Sequence, residues 1–175
     1  MKNSNAIQVT LAAGIAALYA AGVVFLAPIS FQVFQVRIAD ALLPVSILIG
    51  WPAVVGLSVG AFVANFFGGL GPVDIVGGTI ANFIATLIAW KIAHGRRRAA
   101  IIVGIVAEIT VVTVIVGTYL SFLLAIPLWL SLFGIFLGSA IAIGLLGTIV
   151  LFALSNSRVS LILRLNQGVR DEKSS

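Results

Sequence analysis

The sequence predicts an all-α integral membrane protein with six transmembrane helices. Composition carries the class: of 175 residues, 61% are hydrophobic and only 9% are charged, with a mean hydropathy of +1.24. Soluble domains carry about 25% charged residues, so a water-facing fold would lack the polar side chains to cover this much apolar surface. Order along the chain carries the rest. Long apolar runs alternate with short polar breaks, and the first ninety residues hold only Lys2, Arg37, Asp40 and Asp74 as charges. At about 20 apolar residues per span, the length allows five or six crossings. Residues 1–175 therefore read as a single transmembrane domain.

The first helix is expected over residues 7–27, ended by Pro28. Its apolar run exceeds the roughly 7–15 residues of a signal-peptide core, so it reads as a retained span. Residues 29–40 form a connector with Gln32, Gln35, Arg37 and Asp40. Residues 41–68 carry no charge and are expected to divide at Gly50, Trp51 and Pro52 into two short helices, 41–50 and 52–68. Short helices are tolerated where they line a cavity inside the protein. A glycine-rich break from Gly68 to Pro72 precedes the fourth helix, 73–93. The fifth covers 99–125 and stops before Pro127. The sixth covers 128–154, and a basic tail, 158–175, follows.

Charge sets the orientation. Basic residues accumulate on the cytoplasmic side. Lys91, Arg96, Arg97 and Arg98 mark one such loop, and Arg158, Arg164, Arg170 and Lys173 mark the tail. Placing Lys2 inside as well requires an even number of crossings before His94, so residues 41–68 must cross twice. Both termini are then cytoplasmic, in a multi-pass protein of the cell membrane. Arg37, Asp40 and Asp74 fall on the outer face.

Several function classes drop out. The chain has no cysteine, which removes disulfides and thiolate metal centres. Its single His94 lies beside Arg96, Arg97 and Arg98 and reads as part of a solvated loop, so no metal site is expected. The net charge of +5 sits at membrane edges and does not signal nucleic acid. There is no G-x-x-x-x-G-K-[ST] loop and no H-E-x-x-H motif. No Ser–His–acid set assembles around the one histidine. No catalytic residue, no cofactor and no enzymatic activity are expected.

The few polar residues in apolar surroundings are the candidates for function. Arg37 and Asp40, three apart, form either a clasp over an outward pocket or a boundary ion pair. Asp74 lies in the first turn of the fourth helix, where an acid satisfies free amides and complements the dipole, or meets a ligand. Glu108 lies at hydrocarbon depth, where an ionised carboxylate costs several kcal/mol. It is either a protonated acid bonded to a neighbouring helix or a carboxylate lining a cavity. Asn65 and Asn82 need partners for their amides. They bond each other, or they read the edge of a flat heterocycle with Phe62, Phe66, Phe67 and Phe83 near enough to stack. A short echo places Gly60, Ala64 and Asn65 like Gly77, Ala81 and Asn82, so that the two helix faces can meet. In the first helix, Ala12, Ala16 and Ala20 form one side-chain-poor stripe, and Ala13, Ala17 and Ala21 another. Such stripes admit a close helix, inside this chain or on a separate membrane subunit.

The chain also resembles a known family. The residues that carry the resemblance are Val36-Arg37-Ile38-Ala39-Asp40-Ala41-Leu42-Leu43-Pro44, then Gly56-Leu57-Ser58-Val59-Gly60 with Asn65, then Asp74-Ile75-Val76-Gly77-Gly78-Thr79. They are similar to the queuosine-precursor (QueT) family, the substrate-binding S components of energy-coupling factor (ECF) transporters. The similarity is densest over residues 35–93. Family members often carry Ser-Glu where this chain has Ala39-Asp40, so the carboxylate is kept but shortened. The resemblance implies a six-helix S component with a pocket near the outer face, capped by the loop between the first two helices. It implies an alanine face on the first helix that docks onto a transmembrane T component, with two cytoplasmic ATPase subunits. The cargo it implies is a 7-deazaguanine precursor of queuosine.

A guanine-like edge offers N–H donors to a carboxylate and a carbonyl to an amide or guanidinium. Asp40, Asp74 or Glu108 would supply the first; Arg37, Asn65 or Asn82 the second. The expected partners are this small molecule, membrane lipid, the T component and the ATPases. Two other readings stay open. One is a self-sufficient proton-coupled carrier built on Glu108. The other is a structural subunit in which Arg37, Asp40 and Glu108 pair with one another.

Overall fold

The computed structural model describes residues 2–26 and 37–156, and every regular element among them is helical. Pro28, the connector up to residue 36, the tail 158–175 and the side chain of Lys2 lie outside the described residues. Helix α1 spans Lys2–Phe25. A 3₁₀ turn, Ile38–Leu42, leads into α2, Val45–Ile49. Then come α3, Trp51–Gly68, α4, Pro72–Ala93, α5, Arg98–Leu123, and α6, Leu128–Ser155. Within α6, Ala140–Gly147 winds as a π-helix.

Local chemistry sets these limits. Gly50 stands between α2 and α3 with φ 79°, a conformation that favours glycine. Pro52 follows in the first turn of α3, where its missing N–H costs nothing. Gly69, with φ 76°, ends α3, and Pro72 opens α4.

Five helices are long and apolar enough to cross a membrane: α1, α3, α4, α5 and α6. The expected second span is not among them. Ile38–Ile49 is a shorter apolar helix, and at 1.5 Å per residue it reaches under about 20 Å against a core of roughly 30 Å. Its setting explains its length. Residues 39–41 and 43–47 are all buried, so this segment lies inside the bundle and not against lipid. There, protein neighbours rather than lipid surround the irregular backbone.

The long helices pack in sequence, α1 on α3, α3 on α4, α4 on α5 and α5 on α6. The 3₁₀ turn touches both α1 and the π segment of α6, which closes the gap between the first and last helices. A Cβ on Gly147 would lie 2.9 Å from Pro44 Cγ, so the π segment meets this buried segment at a glycine. Buried alanines of α3 and α4 belong to the core, among them Ala53, Ala61, Ala64, Ala81, Ala85 and Ala89. Small residues of this kind let backbones approach in lipid.

The two alanine stripes of α1 have different fates. A Cβ on Gly56 would lie 2.6 Å from the Ala12 carbonyl oxygen, and one on Gly60 2.9 Å from that of Ala16. Ala12 and Ala16 thus face α3 within the chain, the packing alternative for that stripe. Ala13, Ala17 and Ala21 are exposed. The two glycines of the echo between α3 and α4 do not face each other. Gly60 faces α1, whereas a Cβ on Gly77 would meet the Tyr119 ring of α5 at 2.8 Å.

Candidate functional site

Polar groups in an apolar bundle must find one another, and they do so here in two layers. The first layer surrounds a narrow hollow lined by Arg37 and Asp40 of the 3₁₀ turn, Asn82 of α4, Val112 and Val116 of α5, and Ile135, Gly138 and Ser139 of α6. Its free volume is about 10 Å³, room for about one water molecule. A bicyclic ring enters only as these walls part.

Two tyrosines hold two carboxylates at this layer. Tyr19 of α1 donates its hydroxyl to Asp40 Oδ1 at 2.5 Å. Tyr119 of α5 donates to Asp74 Oδ1 at 2.8 Å. Asp74 is fully buried, and its Oδ2 has no hydrogen-bond partner among the described residues. Arg37 stands within electrostatic reach of both carboxylates and both phenols. One guanidinium and two carboxylates therefore share a neighbourhood. Arg37, Asp40, Asn82 and Ser139 face a space whose remaining walls are apolar.

Glycines of α4 make the room. Besides Gly77 against the Tyr119 ring, Gly78 sits against the Asn65 amide, where a Cβ would collide with Nδ2. Asn65 Nδ2 donates to the Asp74 carbonyl at 2.9 Å, which ties the end of α3 to the first turn of α4. Asn82 Nδ2 donates to the Leu57 carbonyl at 3.4 Å, and the Asn82 side chain also reaches the Tyr19 hydroxyl. The two asparagines do not bond each other, contrary to one expectation. The antiparallel register of α3 and α4 sets Asn65 beside Asp74 and Asn82 beside Leu57, two turns deeper.

The second layer belongs to Glu108. It is fully buried on α5, and Ser46 Oγ of α2 donates to its Oε1 at 3.3 Å. Its Oε2 has no hydrogen-bond partner among the described residues. Glu108 lies within electrostatic reach of Asp40 but does not line the hollow. Arg37, Asp40, Asp74 and Asn82 are thus brought together, Asn65 supports Asp74 from behind, and Glu108 stands apart.

Other expectations need correction. His94 is not simply part of a solvated loop: its Nδ1 lies 2.7 Å from the Ile47 carbonyl, and its ring meets Trp90 edge-on at 6.3 Å. Phe62, Phe66 and Phe67 point outward, and Phe83 packs on Trp51, so no phenylalanine lines the hollow.

Sequence reasoning missed Tyr19 and Tyr119. A signal was present: the chain has two tyrosines, both inside apolar runs, and a buried phenol usually finds a partner. It also missed Gly138 and Ser139, which directly precede the π segment. Such widened turns concentrate at functional sites.

Comparison with known proteins agrees in class. The family model described as QueT transporter matches residues 9–156. No curated protein and no solved structure matches the chain.

Proposed function

The chain belongs to the QueT transporter family, and from that premise we propose that it is the S component of an ECF-type importer for a 7-deazaguanine precursor of queuosine. It is a helical, multi-pass membrane protein. In this reading it has six helices in the cell membrane, with Ile38–Ile49 as the short second one and both termini in the cytoplasm. The hollow opens away from the basic loop at Arg96, Arg97 and Arg98. The exposed face of Ala13, Ala17 and Ala21 meets the T component, and two ATPase subunits drive the cycle.

The observation that carries the proposal is the convergence of Arg37, Asp40, Asp74 and Asn82 from distant parts of the chain. Burying these groups in a bundle this apolar is costly without polar partners, and a planar heterocycle with donors on one edge and a carbonyl on another supplies them. Asp40 accepts from the ring N–H groups, and Asn82 and Arg37 donate to the carbonyl. Val112, Val116 and Ile135 cover the ring faces. Tyr19 and Tyr119 hold the carboxylates in place.

The test is equilibrium binding of 7-deazaguanines, against other nucleobases and vitamins, to the purified chain in detergent. Asp40→Ala and Asn82→Ala should each weaken binding by about tenfold or more, roughly 1.4 kcal/mol. Unchanged affinity in both would remove the site assignment. One observation favours a second reading: buried Glu108, with Oε2 unpartnered, suits a proton site in a self-sufficient carrier. Uptake that survives loss of the ATPases and collapses with an uncoupler would select it.

A further inference from the structure

A hollow of about 10 Å³ admits a flat ring only if one of its walls moves, and the walls are not held equally. The 3₁₀ turn is pinned on α1, where Tyr19 bonds Asp40 and a Cβ on Gly22 would lie 3.3 Å from Ala39 Cβ. α4 packs between α3 and α5, and Asn65 ties its first turn. α5 packs between α4 and α6. The first half of α6, Leu128–Ser139, packs chiefly on α5 alone. Ser131 Oγ donates there to the Gly117 carbonyl at 2.7 Å. Trp129, Phe133 and Phe136 of this half are exposed. Yet the same half carries Ile135, Gly138 and Ser139 of the hollow.

Both ends of this half are irregular. Before it, Ala125 has φ 50°, a left-handed conformation that residues with a Cβ rarely adopt. Among the described residues no other non-glycine has a positive φ. After it, Ala140–Gly147 winds as a π-helix, a form seen mostly as single widened turns at functional sites. Beyond that joint the helix is anchored: a Cβ on Gly147 would lie 2.9 Å from Pro44 Cγ and 3.2 Å from the Ala41 carbonyl oxygen. Strained backbone of this kind clusters at clamps and switch regions. A straight helical piece between two such joints, held along one side, is built to move.

We propose that Leu128–Ser139 is the gate of the hollow. It moves as one piece on joints at Ala125 and Ala140–Gly147, away from Asp40 and Asn82, while Thr148–Ser155 stays in place. This rests on the substrate reading above and goes beyond it by assigning the moving wall. A flat ring between two walls needs about 3.5 Å of added separation, one carbon contact distance.

The chain has no cysteine, so introduced pairs carry spin labels without background. One pair joins Phe133→Cys on the gate to Ile80→Cys on α4. The control joins Ile149→Cys, beyond the π segment, to the same Ile80→Cys. All three positions are exposed. Pulsed electron resonance gives both distances on the full purified chain, with and without saturating 7-deazaguanine, and calorimetry checks that the labelled chain binds it. On binding, the gate pair should lengthen by about 3 Å or more and the control pair by less than about 1 Å. Without ligand, the gate pair should show the broader distance distribution. A bound base with both distances unchanged overturns the proposal, and so does lengthening of both together, which would make α6 a single rod. If calorimetry detects no binding, the substrate reading falls. The gate then stands on a broader ligand-free distribution for its pair and falls if the two widths are equal.

Discussion

Replacing Gly60 by alanine tests how α1 sets the geometry of the site. A Cβ there would lie 2.9 Å from the Ala16 carbonyl oxygen, 3.0 Å from Tyr19 Cβ and 3.2 Å from Ala16 Cα. Two of these neighbours are backbone, so no side-chain rotation relieves the contact and α1 must back away from α3. The displacement falls on Tyr19, whose hydroxyl bonds Asp40. Overpacking costs about 1–3 kcal/mol, and removing a glycine from a helix offsets about 0.5–1 kcal/mol of that. A net loss near 1–2 kcal/mol lowers Tm by roughly 2–8 °C at about 2–4 °C per kcal/mol. Gly14→Ala is the control, because nothing lies within 4 Å of its Cβ position. It should keep or raise Tm. Both variants are melted in one detergent with tryptophan fluorescence as the readout, and ligand affinity is measured beside it. Gly60→Ala should lose affinity and Gly14→Ala should not. Wild-type Tm and wild-type affinity in Gly60→Ala would refute the inference that this contact holds Tyr19 against Asp40.

Other consequences can be checked in parallel. Asn65→Ala removes the donor to the Asp74 carbonyl and should cost about 1–2 kcal/mol in thermal unfolding; an unchanged Tm would deny that this bond secures the first turn of α4. Tyr119→Phe leaves Asp74 one donor short and free to reorient, so equilibrium binding should weaken roughly three- to tenfold. Glu108→Gln should keep affinity within about twofold, since Glu108 lies outside the hollow, and a loss beyond about fivefold would move the site to the second layer. Ala17→Leu should leave binding by the isolated chain intact yet abolish uptake in cells that carry the T component and ATPases. Uptake at the wild-type rate would mean that this face meets only lipid.

Much of the architecture was legible because it rests on local chemistry. Apolar runs against sparse charge gave the membrane class, and Gly50 with Pro52 marked the break between α2 and α3. The site was legible in part. Arg37, Asp40, Asp74 and Asn82 stood out because polar groups in apolar runs are costly anywhere, so their number is small. What periodicity cannot supply is the neighbour. It defined two alanine stripes on α1 but not that Gly56 and Gly60 would take one of them. It marked Glu108 as unusual but not that Ser46 would bond it. Tyr19 and Tyr119 escaped because a tyrosine in an apolar run reads as core until its hydroxyl is placed. The π segment of α6 escaped because its apolar residues Ala140–Gly147 carry no pattern that separates a π from an α turn. The short second helix was expected to cross, and only its burial explains why it does not need a full span.

The most direct measurement is a structure of the full chain with a 7-deazaguanine bound. The account predicts a hollow widened well beyond its present volume. The ring should lie between Val116 and Ile135, with its edge within hydrogen-bond distance of Asp40 and Asn82. A ligand seated against Glu108 and Ser46, or on the surface of the bundle with the hollow unchanged, would contradict it.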